Sequence, residues 1–142
     1  MRSPTFFNFF PSSQDTTSER NLVLGASLAT LPRFQTAIGE IEALLYANHR
    51  LIYSLATDID KGEYDTNVGL QAQTVKYLTT TNAIRTVEIG LELIGNPGLS
   101  KNNPLERHYR NVLCSRIHTP QNDVICLSLG KSALASSAIE KG

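Results

Sequence analysis

The sequence predicts an all-α protein, an antiparallel four-helix bundle-like domain with two long and two shorter helices. Three observations carry this. Apolar residues recur at alternating spacings of four and three along one continuous stripe, the helical period. Proline, glycine and asparagine clusters punctuate the chain where such stripes start and stop. No alternation of apolar and polar residues of useful length appears, which leaves no candidate β-strand.

The helical region is expected to occupy residues 33–142, preceded by an irregular segment, 1–32. That segment carries Phe6, Phe7, Phe9 and Phe10, four of the five phenylalanines in the chain. Disordered tails are poor in aromatics, so this segment is expected either to dock against a partner surface or to pack on this domain's own helices. A weak helical pattern runs from Leu22 to Leu28. From Pro32, a residue suited to a first helical turn, the pattern strengthens. Phe34, Ile38, Ile41, Leu45, Asn48, Ile52 and Leu55 form the stripe of a first helix over about 33–58.

Lys61 and Gly62 then break the pattern, and Asp65 or Thr66 is a candidate cap for a second helix. Its inner positions are Leu70, Val75, Leu78, Ile84, Val87, Leu91 and Ile94, and it stops at Gly95-Asn96-Pro97-Gly98. Only Lys76, Arg85, Glu88 and Glu92 are charged between Val68 and Ile94, so several neighbours are expected to cover this helix. A third helix follows Asn103-Pro104, with Leu105, Tyr109 and Val112 facing inward. A fourth is expected to begin at Thr119-Pro120, capped by Thr119 with Asp123 supporting its first amides, and to bury Val124, Leu127 and Leu134.

With 142 residues, and Lys plus Arg matching Asp plus Glu at 13 each, one domain with no net positive field is expected. That disfavours generic binding to nucleic acid or an anionic membrane surface. No apolar run approaches the roughly 20 residues of a membrane span, and the sequence after Met1 lacks signal-peptide form, so a soluble, cytoplasmic protein is expected. Cys114 and Cys126 make no zinc or disulfide framework and read as free thiols in the core. His49, His108 and His118 lack metal-ligand spacing, so no metal is expected. His49 and His108 read as structural.

Independent chemistry is not written in the residues: no phosphate loop, nucleophile elbow or close Ser, His and Asp set is present. The informative stretch runs from Glu92 to Asn111 and continues from Arg116 to Asp123. It combines a glycine turn, a Pro-Leu-Glu-Arg helix start and a polar loop before the next helix. Glu106 suits the positive end of a helix, and Arg107 and Arg110, three apart, share one side.

This stretch resembles the C-terminal domain of the acyl-CoA dehydrogenases. Their pattern reads Gln-(Val/Leu)-Phe-Gly-Gly-Tyr-Gly-Tyr, then Pro-(Val/Leu)-Glu-Arg-x-x-Arg-Asp, then Tyr-Glu-Gly-Thr. The match runs without a gap from Glu92 to Asp123, and with the two long helices the resemblance covers residues 33–138. It implies FAD or FMN as cofactor, with contacts from Glu92, Gly95, Asn96, Thr119 and Gln121. The segment from Glu92 to Gly95 is then expected to lie against the flavin of a neighbouring subunit. Glu106, Arg107 and Arg110 take structural roles, and helix faces build a homo-oligomer, a dimer or tetramer.

Two departures matter. Glu92 and Asn96 replace the usual Gln and second Gly. More importantly, the family's catalytic glutamate falls at Thr119, whose hydroxyl cannot act as a base near neutral pH. His118 precedes it, which resembles the flavin-dependent monooxygenase branch of the fold, including sulfur-acquisition enzymes. The resemblance implies that this histidine handles protons near the flavin, as imidazole titrates near neutrality; the structural alternative is a hydrogen bond from His118 to loop backbone ahead of the next helix. The N-terminal helical and middle β domains of the family do not fit in residues 1–32, so the chain is expected to be a fragment, a truncated product or a subunit completed by another polypeptide. The alternative is a non-catalytic, self-associating helical interaction module.

Overall fold

A computed structural model of the chain describes residues 28–62 and 67–139. The phenylalanine cluster, most of the stretch from Leu22 to Leu28, and the candidate caps Asp65 and Thr66 lie outside the described residues. Four α-helices are described: α1, Pro32–Lys61; α2, Val68–Ile94; α3, Pro104–Cys114; and α4, Asn122–Ile139. Two 3-10 turns, Leu28–Thr30 and Asn96–Leu99, accompany them, and no strand occurs among the described residues. No described helix is long and apolar enough to cross a membrane.

The chain divides into two compact units, Met1–Glu40 and Ile41–Gly142. In the first, the amides of Phe34 and Gln35 donate to Leu31 O, and Gln35 Nε2 donates to Ala29 O at 3.1 Å, which joins the 3-10 turn to the start of α1. The second unit holds the remainder of α1 with α2, α3 and α4.

Helix α2 is the centre of the second unit. Toward α1 the link is polar: Asn48 Nδ2 donates to Thr79 O at 3.0 Å, and Asn82 Nδ2 donates to Asn48 Oδ1 at 2.9 Å. Asn48 and Thr79 each lie roughly three to four turns from the connection between the helices, so α1 and α2 form an antiparallel hairpin. Five threonines along α2, Thr74, Thr79, Thr80, Thr81 and Thr86, return their hydroxyls to carbonyls one turn back. That satisfies the hydroxyls locally and lets Thr86 sit almost fully buried.

The core of this unit is made by Ile41, Ile89, Leu105 and Ile125. The periodicity finds Ile41 and Leu105, while Ile52 and Leu78 turn out exposed. Gly90 is buried where Leu105 of α3 packs, with the leucine methyls 3.6 and 3.8 Å from where a Cβ would stand. Gly98 meets a tighter fit, since a Cβ there would lie 3.1 Å from Leu91 Cδ2, which folds the turn back onto the end of α2.

Helix α3 starts as the sequence predicts. Pro104 occupies the first turn, and Asn103 Oδ1 accepts from Leu105 N at 2.9 Å. Replacing Asn103 by alanine is expected to lower stability by about 1 kcal/mol, readable as a shift in the urea midpoint at unchanged slope. A shift below a few tenths of that would show that the cap is not supporting the helix.

Helix α4 corrects the sequence reading in two ways. It begins at Asn122, not at Thr119-Pro120, because the preceding backbone is committed elsewhere: Asn122 N donates to Arg116 O, and the His118 and Pro120 carbonyls accept from Lys76. Thr119 therefore lies in the loop and caps nothing, while Asp123 accepts from the adjacent Val124 amide at 2.8 Å. Second, Val124, Leu127 and Leu134 are exposed at 49%, 59% and 73%, and Ile125 is the buried residue of the helix. Its apolar residues are spread round its circumference, so periodicity alone could not select the inward one. Both cysteines are free but exposed, against the core positions expected of them.

Candidate functional site

The sequence-predicted site residues fall into two groups. The first surrounds the end of α2. Gly95 N donates to Leu91 O at 2.7 Å and closes the helix, and Gly95 adopts φ 72°, ψ −151°. Only glycine visits that region without strain. Among the described residues, no atom beyond the glycine and its two chain neighbours lies within 4 Å of where a Cβ of Gly95 would stand, so this turn leaves open space beside its backbone. Asn96 is exposed next to it. Glu92 is held by Arg85, Nη1 to Oε1 at 3.1 Å, one side of a pair that stays largely in solvent.

The second group is the loop between α3 and α4. The amides of Ile117 and His118 donate back to Cys114 O, and Asn122 N closes on Arg116 O at 3.1 Å. The Thr119-Pro120 peptide is cis. Ile117, His118, Thr119 and Gln121 are all exposed, and among the described residues none of their side chains has a hydrogen-bond partner. The backbone is thus turned inward and the side chains outward.

Beneath the loop lies a residue that the sequence reading counted among the charges of α2 but assigned no role. Lys76 Nζ donates to Pro120 O at 2.8 Å, Asn122 Oδ1 at 2.8 Å and His118 O at 3.3 Å. The signal available in the sequence was that this lysine stands in a helix with few charges.

Helix α3 lies between the two groups in sequence and carries the predicted structural residues. Arg110 Nε pairs with Glu106 Oε1 at 2.6 Å, one turn apart. With Arg110 68% exposed, that pair contributes a few tenths of a kcal/mol at most. Arg107 is exposed on the same helix. Tyr109 Oη reaches Glu88 Oε1 of α2 at 3.5 Å, a long contact. His49 stacks on Tyr53, ring centroids 4.3 Å apart, at the surface of α1.

The two groups do not converge within one chain. Lys76 and Gly95 mark their positions on α2, and a straight helix puts those residues roughly 28 Å apart along its axis. A single small ligand cannot bridge them in one chain. The first group offers an open glycine backbone with neighbouring amide and carboxylate groups, and the second offers exposed imidazole, hydroxyl and carboxamide groups. Among the described residues no group of three His, Cys, Asp or Glu side chains is placed to hold a metal ion.

Comparison with known proteins gives a consistent picture. Residues 16–134 match the family described as "Acyl-CoA dehydrogenase, C-terminal domain". The chain is 24% identical over 113 residues to YdbM of Bacillus subtilis strain 168, whose name assigns it to the acyl-CoA dehydrogenases; the match covers 80% of this chain and 30% of that protein. It is 31% identical over 97 residues to the amino sugar nitrososynthase DnmZ of Streptomyces peucetius, covering 62% of this chain and 24% of the relative. The chain thus spans less than a third of the length of these two relatives.

Proposed function

The chain belongs to the acyl-CoA dehydrogenase C-terminal domain family, and from that premise we propose that it is the helical part of a flavin-dependent oxidoreductase, supplying flavin contacts and an oligomer interface. The observation that carries this is the pairing of an open Gly95 turn with a tethered loop that exposes His118, Thr119 and Gln121. Glu92, Gly95 and Asn96 would hold one part of FAD or FMN, and the loop residues another. Their separation along α2 supports a site in which the two groups of one chain serve two flavins, one of them held mainly by a neighbouring copy.

When bound, a flavin supplies two-electron chemistry; what the chain supplies is placement and proton handling. Thr119 stands where the family carries its glutamate base, and a hydroxyl does not remove a proton near neutral pH. His118 is the neighbouring group that can hold or move one. That favours chemistry other than α,β-dehydrogenation at this loop. The likeness to a relative named for nitroso synthesis points the same way.

A titration of FAD and FMN with the full chain, followed by flavin fluorescence, tests the reading. Saturable quenching that strengthens as light scattering reports self-association is the expected outcome, because each site needs two copies. Self-association with no flavin response would instead favour the second reading, a non-catalytic interaction module. That reading draws support from apolar side chains exposed on α1 and α4, Tyr46, Tyr53, Leu127 and Leu134 among them.

A further inference from the structure

We infer that Lys76 is the positioning residue of the loop spanning residues 116–122, fixing from below the backbone that presents His118, Thr119 and Gln121. What the loop serves rests on the proposed flavin role; the tether itself stands on the geometry alone. Lys76 leaves the third turn of α2, and its ammonium donates to oxygens more than forty residues away in sequence, His118 O, Pro120 O and Asn122 Oδ1. Three donors meeting three converging acceptors satisfy the full capacity of the group.

Helix stability does not explain the arrangement. A cation beside the first residues of α4 stands at the positive end of that helix, where the macrodipole disfavours it, and among the described residues no carboxylate touches the ammonium. Asp123 in the first turn of α4 offsets the field there. Three charge-assisted hydrogen bonds outweigh a helix-end penalty that is weaker than one of them. Their effect is local: two of the acceptors are the carbonyls of His118 and Pro120, on either side of Thr119, so holding both oxygens holds the course of the loop through that residue. The third, Asn122 Oδ1, lies on the residue whose amide closes the loop on Arg116 O. Loop shape and the start of α4 therefore depend on one side chain of α2. Lysine suits this role because its ammonium carries three donors on a flexible stem, one for each acceptor.

Amide hydrogen exchange on the full chain tests the inference without a flavin. In Lys76→Met, the amides of His118 and Asn122 are expected to exchange roughly tenfold faster or more, while those of α1 and α3 keep their rates. Lys76→Arg is expected to restore part of the protection. Asn122→Ala, which removes one acceptor and leaves the lysine, is expected to give a smaller effect confined to the same amides, and to add nothing in the Lys76→Met background. Unchanged exchange at His118 and Asn122 in Lys76→Met would overturn the inference. So would acceleration spread equally over all helices, since that marks a residue of general stability. If Lys76→Met does not fold, Asn122→Ala carries the decision by the same two criteria. A chain that shows the localised acceleration but never responds to FAD would retain the tether and lose the flavin reading.

Discussion

Replacing Ile125 by alanine is expected to lower the stability of the chain by about 2–4 kcal/mol, the largest effect of any single truncation in α4. Ile125 is fully buried, whereas Val124, Leu127 and Leu134 on the same helix are exposed. Among the described side chains of α4 it is the one fully buried, with Leu129 half-buried, and the Lys76–Asn122 hydrogen bond adds a polar attachment. Truncation removes the transfer energy of the lost carbons and leaves a cavity that its surroundings close only in part. Urea unfolding followed by circular dichroism measures this. Leu134→Ala is the control, expected to stay within about 0.5 kcal/mol because that side chain is already in solvent in the single chain. A loss below 1 kcal/mol for Ile125→Ala would mean that α4 is held by something other than this contact.

The second large effect is expected at Gly95. Its φ of 72° and ψ of −151° lie in a region that costs an L-residue of order 1–3 kcal/mol. Among the described residues beyond its chain neighbours nothing lies within 4 Å of the Cβ position, so no steric clash adds to this. Gly95→Ala is thus expected to destabilise by backbone strain alone, measured in the same unfolding experiment. The mirror image of this conformation is close to polyproline II, so D-alanine at the same position is expected to be tolerated. If both enantiomers cost the same, the side chain and not the backbone would be the cause. The glycine is consequently required by the turn before any cofactor is considered, and a loss of flavin binding in Gly95→Ala has to be separated from this strain by measuring fold and binding together.

Much of the fold was legible because its signals are local. The stripe through Phe34, Ile38, Ile41 and Leu45 gives α1, the Asn103-Pro104 pair gives the start of α3, and Gly95 gives the end of α2. What escaped depends on contacts remote in sequence. Thr119-Pro120 has the composition of a helix start, yet the carbonyls around it are held by Lys76 from another helix, and α4 starts at Asn122. Cys114 and Cys126 resemble core residues by type, but α3 and α4 bury Leu105 and Ile125 and turn both thiols outward. For the candidate site, the sequence offers the run between Glu92 and Asp123 through its likeness to a family pattern, and it says nothing of how those residues are arranged in space. Their separation along α2, and the tether from Lys76 beneath the loop, required the structure.

Residue-resolved amide shifts of the full chain during an FAD titration show whether the Gly95 turn and the loop carrying His118 contact flavin. Shifts concentrated at residues 92–96 and 116–121, appearing together as the chain self-associates, are the expected result. Shifts confined to other surfaces, or none at saturating FAD in the self-associated chain, would contradict such contact and leave the helical domain as an interaction module.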